Sequence, residues 1–148
     1  MIPEKKPTPN ILWSIFTMKC PRCRTGKMYN NNHGYGKLSI DNILDMPERC
    51  KECNQRFDLE PGFWYGTSYV SYALTIAMSV STFVAWVVLV GVSVDADKVH
   101  LIFWWLGLTI AMLIILQPWI MRLSRVLYIR FFVRYDADYK NTEPIEFQ

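Results

Sequence analysis

Two long apolar stretches constrain this chain more than anything else in it. Residues 69–94 (YVSYALTIAMSVSTFVAWVVLVGVSV) and 99–120 (VHLIFWWLGLTIAMLIILQPWI) contain no Asp, Glu, Lys or Arg. Each is long enough, as a helix, to cross a hydrocarbon layer of about 30 Å with some tilt. The link between them, near residues 93–98, is too short for a domain, so the two are expected to form an antiparallel hairpin. Charge follows the same division: of the 16 Lys and Arg, ten precede Thr67, five follow Met121, and only Lys98 lies between.

Basic residues flank the hairpin on one side (Lys51 and Arg56 before it; Arg122, Arg125, Arg130 and Arg134 after it), whereas its tip carries Asp95, Asp97 and Lys98. The positive-inside rule then places both termini in the cytoplasm, the tip outside, and the chain in a bacterial inner membrane. Phe63, Trp64 and Tyr65 before the first span, and Trp104, Trp105 and Trp119 in the second, suit aromatic belts at the two interfaces. The N-terminus has a charged start, only a brief apolar run at 11–16, and no small-residue cleavage site. The chain is therefore read as intact, with its start on the side where it is made.

All four cysteines fall into two pairs, Cys20-Pro21-Arg22-Cys23 and Cys50-Lys51-Glu52-Cys53. Two residues between cysteines let both thiolates reach one ion from a tight turn, and two such knuckles face to face supply a tetrahedral four-sulfur site. Cys20, Cys23, Cys50 and Cys53 are thus the candidate metal ligands, with zinc favoured and iron fitting the same ligands. Disulfides do not suit thiols on the cytoplasmic side. A redox pair needs a βαβ pattern that is missing, and covalent haem attachment needs a His where Arg24 and Asn54 stand. Neither His33 nor His100 is required as a further ligand. The polar stretch 19–60, with Gly26, Gly34, Gly36 and Pro47, suits short strands and tight turns, and a unit this small needs a metal to hold it.

The expected architecture is a small N-terminal β zinc ribbon with rubredoxin-like knuckles, joined to an α-helical transmembrane hairpin. Residues 1–18 form a tail and short helix, 19–60 the ribbon, 61–121 the hairpin, and 122–148 a C-terminal helix and tail. The short helix at 11–17 either packs on the ribbon or sets Trp13 and Phe16 against the membrane surface. The segment 119–139 either turns along the membrane or continues the second span, and the last dozen residues are expected to fray.

Function is less constrained. With no ionisable group in the spans, a transporter or pump is disfavoured. Their hydroxyls (Ser71, Thr75, Ser79, Thr82, Thr109) are expected to bond to their own helices or across the pair. Small residues at Ala73, Ala77, Ser81 and Ala85, and at Gly107 and Ala111, are expected to meet inside the hairpin or to dock another membrane subunit. Arg22, Arg24, Lys27, Arg49, Lys51 and Arg56 surround the knuckles, but Asp45, Glu48, Glu52, Asp58 and Glu60 are interleaved with them. A nucleic-acid surface is therefore disfavoured. No nucleophile with a positioned base, phosphate-cradling loop or carboxylate pair points to an enzyme.

The order of CPRCRTGKM, CKECNQRFD and the apolar hairpin resembles a bacterial membrane family described as domain of unknown function 983. The matching positions are Cys20, Pro21, Cys23, Gly26, Cys50, Cys53 and Phe57, and the likeness runs from about Lys19 to Tyr135. The usual Gly after each knuckle is replaced by Arg24 and Asn54, and the insertion between knuckles is long. The resemblance implies no known reaction. Relatives encoded beside haem–copper oxidase subunits and assembly factors imply an accessory role in respiratory complexes, with other membrane subunits as partners; no residue here indicates haem or copper binding. The expectation is a non-enzymatic accessory subunit or assembly factor, with metal sensing or handling as the alternative and a membrane-tethered nucleic-acid binder as a further one.

Overall fold

A computed structural model describes residues 10–31, 43–91 and 99–145. The expected N-terminal tail, the centre of the inter-knuckle insertion with His33, and the hairpin tip lie outside these. Helix α1 spans Ile11–Phe16, α2 Thr67–Val90 and α3 Val99–Phe132, with a 3-10 turn at Phe63–Gly66 leading into α2. Both long helices are apolar and long enough to cross a membrane, which associates the chain with one. Gly91 ends α2 in the left-handed conformation at φ 67°, and its N–H bonds to the carbonyl of Val87 at 3.0 Å. This is the glycine stop that an L side chain adopts only at a cost.

Helix α3 runs unbroken for 34 residues through the buried Pro118, a length of about 51 Å at 1.5 Å per residue. That exceeds what a span needs, so the second apolar segment continues past residue 120 as one helix to Phe132.

The hairpin closes differently from the expected small-residue contact. Along α2 the half-buried positions include Ser71, Leu74, Thr75, Met78, Thr82 and Trp86, while Ala73, Ala77, Ser81 and Ala85 are exposed. The pair meets where the Thr82 and Thr109 hydroxyls approach to 3.5 Å and the Phe83 and Trp105 rings stand edge to face at 5.0 Å. The reason is rotational. A strict spacing of four advances about 40° per step around a helix, so the four small residues drift away from the line on which α3 packs and instead follow a ridge open to a differently angled neighbour. Spacings that mix three and four, as 71–75–78–82 do, stay on the packing line. Gly107 faces open space, with nothing within 4 Å of where its Cβ would lie. The hydroxyls turn back to their own helix, Thr75 donating to the Ser71 carbonyl at 2.8 Å and Ser79 to Thr75 at 2.9 Å.

Among the described residues no β-strand forms. Each knuckle is closed by one isolated antiparallel bridge, Lys19 with Lys27 and Arg49 with Arg56. The polar unit instead folds against α3: Cys20, Cys23, Met28, Tyr29, Cys50, Cys53, Phe57 and Leu59 share one buried cluster with Val126, Ile129 and Val133. Helix α1 packs on the same helix, its buried Ser14 receiving a bond from Arg130 Nη2 at 2.9 Å and Phe16 stacking on Trp119. Its Ile11, Leu12 and Trp13 stay exposed.

Candidate metal centre

The two knuckles are built alike. In the first, Arg24 N–H donates to the Cys20 carbonyl at 2.9 Å and Cys20 N–H to the Gly26 carbonyl at 2.9 Å. In the second, Asn54 N–H donates to Cys50 and Cys50 N–H to Gln55, each also at 2.9 Å. The residue after each second cysteine is left-handed, Arg24 at φ 57° and Asn54 at φ 56°. These are the two places where the family resemblance leads to an expectation of glycine; the left-handed turn is formed with Arg and Asn there. Asn tolerates this region through its short side chain, and the Arg24 guanidinium lies 4.1 Å over the Tyr135 ring, a stacking contribution that offsets backbone strain.

This backbone brings all four predicted cysteines together. Their sulfur atoms lie within 4.8 Å of one another, and all four are buried. Cys20 Sγ is 3.7 Å from Cys53 Sγ, and Cys23 Sγ is 3.8 Å from Cys50 Sγ. A tetrahedral ion about 2.3 Å from each thiolate sets the sulfurs about 3.8 Å apart, so the arrangement fits such an ion. Gly26 is part of the cradle: its N–H points to Cys23 Sγ at 3.4 Å, and a Cβ there would lie 2.4 Å from Cys50 Sγ.

The thiols do not share their protons evenly. Hydrogen bonding with Cys23, then with the other two cysteines, and burial push Cys20 up. Cys23 is pulled down by Cys20 first, and Cys50 is lowered, chiefly by Cys20, to about 7. Cys53 is also lowered by Cys20 but ends raised, because Cys23, Cys50 and burial outweigh that pull. A divalent cation bound by the four sulfurs would expel the protons from them.

Several residues that frame the centre were not singled out from sequence. Arg22, counted there among surface cations, is 2% exposed. It donates to the Cys53 carbonyl at 3.2 Å, to the Thr142 carbonyl at 2.7 Å and hydroxyl at 2.8 Å, and to the Glu143 carbonyl at 2.9 Å, and it pairs with Asp136 at 3.6 Å. Gln55, fully buried, donates to the Ile145 carbonyl at 2.7 Å and accepts from the Ile145 N–H at 3.0 Å. The C-terminal segment up to Ile145 is thereby strapped across both knuckles instead of fraying. The arginines of α3 also turn inward. Arg122 donates from Nε to the Ile43 carbonyl at 2.7 Å and from Nη1 to the Asn31 carbonyl at 3.0 Å, and Arg125 lies 4.8 Å over the Trp64 ring.

The profile of a family described as "Protein of unknown function (DUF983)" matches residues 40–120. This interval holds Cys50, Cys53, all of α2 and α3 as far as Ile120, and it exceeds half of the 148 residues; the chain belongs to that family. No curated protein and no solved structure matches it.

Proposed function

We propose that the protein is a membrane-anchored zinc-ribbon protein without catalytic activity, acting as an accessory subunit or assembly factor of a larger inner-membrane complex, with both termini and the ribbon in the cytoplasm. Zinc held by Cys20, Cys23, Cys50 and Cys53 would supply a structural crosslink between the knuckles. The observation that carries this reading is burial. The four sulfurs sit in the same core as Val126 and Ile129 of α3 and Val133 just past its end, and lie beneath the strap that Arg22 and Gln55 hold. An ion in such a place binds the ribbon to the span; it is poorly placed for handing on. The outward-facing Ala73, Ala77, Ser81 and Ala85, with Gly107 on the other helix, support a role beside other membrane helices, since small residues let backbones approach closely.

The alternative, metal sensing or handling, shares the ligands but requires exchange. Purification in mild detergent from native membranes, with companions identified by mass spectrometry and metal counted by elemental analysis, separates them. Stoichiometric recovery with subunits of a membrane complex and about one tightly held zinc supports the accessory reading. Recovery of the chain alone with metal that a moderate chelator removes without unfolding would overturn it.

A further inference from the structure

Helix α1 is folded inside out. In Ile11–Phe16 the one side chain that is neither aliphatic nor aromatic, Ser14, is the buried one. Ile11, Leu12, Trp13 and Phe16 stand exposed, Leu12 and Trp13 by 67% and 69%. A helix that packs on a unit surrounded by water shows the opposite distribution. Nor can α1 roll to bury its apolar side. Arg130 of α3 donates from Nη2 to the Ser14 hydroxyl at 2.9 Å and to the Lys19 carbonyl at 3.2 Å, gripping the helix and its exit together. That exit is a Schellman motif: the Lys19 N–H returns to the Ser14 carbonyl at 2.9 Å and the Met18 N–H to that of Ile15 at 3.0 Å, with Met18 left-handed at φ 54°. The outward setting of Leu12 and Trp13 is therefore imposed by the fold.

The surface that α1 continues identifies what covers it. Phe16 stacks on Trp119 of α3, with ring centroids 6.3 Å apart and planes 19° apart. Trp119 stands in the last turn before Arg122, the first Asp, Glu, Lys or Arg of α3. One turn earlier on the same face of α3, Ile115 is exposed. The bare side of α1 thus runs on from the outward face of a helix long and apolar enough to cross a membrane, at the level where its charge begins. At that depth acyl chains give way to headgroups, and Trp is favoured there for its apolar ring and polar N–H. Water would leave these large apolar side chains hydrated, whereas a bilayer surface covers them.

We propose that α1 is an interfacial anchor, lying in the headgroup layer on the knuckle side of the hairpin with Leu12 and Trp13 inserted among the upper acyl segments of phospholipids. The partner is the lipid surface itself. Because Cys20 follows only four residues after Phe16, the anchor also holds the metal centre close to the bilayer. The proposal rests on the reading of α2 and α3 as membrane-spanning.

The test is photo-crosslinking of the full-length protein, in its own membranes and after purification in vesicles of phosphatidylethanolamine and phosphatidylglycerol. The photoreactive p-benzoylphenylalanine is placed singly at Leu12, at Trp13, at the exposed Val80 in the middle of α2, and at the exposed Lys140 near the C-terminus, and adducts are weighed by mass spectrometry. Leu12 and Trp13 are expected to give phospholipid adducts in both settings, at yields within about threefold of Val80 and at least about tenfold above Lys140. No lipid adduct at Leu12 and Trp13, or crosslinks there to a second copy or to another membrane protein in place of lipid, would overturn the proposal whatever Val80 shows. Lipid adducts at Leu12 and Trp13 without any at Val80 would uphold the anchor and count against the span alone.

Discussion

Arg22, which stands between the two cysteines of the first knuckle, donates to the main-chain carbonyl of Cys53 at the end of the second. The contact joins the two halves of the metal centre without passing through the metal, and the same guanidinium reaches Thr142 and Glu143 in the C-terminal strap. One buried cation therefore gathers three segments that are far apart in sequence. Replacement by Ala would leave several carbonyls and Asp136 without their donor, at roughly 2–4 kcal/mol for a buried charged network. Arg22→Ala is expected to expose the last residues to protease and to lower the unfolding temperature in detergent. Arg22→Lys should recover little, because an ammonium cannot reproduce the planar fork. A strap as protected in Arg22→Ala as in wild type would contradict this.

Gly26 is expected to be as sensitive as a ligand. A methyl group at this position would meet Cys50 Sγ at 2.4 Å and Cys23 Sγ at 3.5 Å, so the second knuckle must shift outward or the sulfurs must spread. Overpacking of this kind costs about 1–3 kcal/mol, which appears as a metal affinity lower by about ten- to a hundredfold. Gly26→Ala should lose a bound metal ion to a chelator that wild type withstands, whereas Gly107→Ala, with open space around it, should not. Equal retention in the two variants would refute the cradle.

The left-handed residues Arg24 and Asn54 provide a third measurement. Asn54→Gly is expected to be neutral or stabilising by less than about 1 kcal/mol, since it removes a modest strain and no described side-chain bond. Asn54→Val should cost about 1–2 kcal/mol, because a branched side chain resists positive φ. Arg24→Gly should fall near zero, relief of strain being offset by loss of the contact with Tyr135, worth about 0.5–1 kcal/mol. Thermal unfolding in detergent, followed by tryptophan fluorescence, ranks the three. A stabilisation by Asn54→Val would overturn the argument.

These positions also mark what could be read from the chain alone. The paired spacing of Cys20, Cys23, Cys50 and Cys53 carries its own geometry, and long uncharged runs leave a helix few alternatives, so the four-cysteine cluster and the two long apolar helices were both legible. Arg22 was not, because an arginine beside Lys27 and Arg24 looks the same in sequence whether it faces water or three carbonyls. The strap was hidden for a related reason: Glu143 and Ile145 are held through main-chain atoms, and Thr142 in part so, which no side-chain pattern records. The small-residue stripe misled because spacing by four gives proximity along one helix and does not specify the face that a partner meets. Two single bridges stood where strands were expected, since the knuckles lean on Val126 and Ile129 of α3 and do not need a sheet for their core.

Acid should loosen the strap through Asp136. The Thr142 hydroxyl bonded to it, then the Asp138 N–H and Arg22, hold its carboxyl below the usual carboxylate range, against a smaller opposing effect of burial. A carboxyl with a lowered folded value stabilises fully above its unfolded value of about 3.9 and loses that contribution as pH falls through the folded one. The advantage of wild type over Asp136→Asn should therefore be complete at about pH 6 and shrink as pH drops below about 4. Comparing the two proteins cancels the protonation of thiolates that both undergo. An advantage that grows on acidification would reverse the assigned sign.

The turn that leads into α2 meets α3 at Gly66, where a Cβ would lie 2.1 Å from the Tyr128 hydroxyl oxygen and 2.3 Å from the ring carbon bearing it. Tyr128 has little room to yield, its ring packing 5.0 Å from Phe63 and 5.2 Å from Phe132. Gly66→Ala is thus expected to destabilise by roughly 1–3 kcal/mol, even though its helical φ of −64° suits alanine. Removing the hydroxyl alone leaves ring carbons at 2.3 and 2.6 Å, so Tyr128→Phe should give no relief. Tyr128→Ala should, making the double substitution less damaging than the sum of its parts. Unfolding temperatures of the four proteins in one detergent close this cycle. Strict additivity would mean that Gly66 owes nothing to Tyr128, and that α2 and α3 are held together by Thr82, Thr109 and their neighbours deeper in the hairpin.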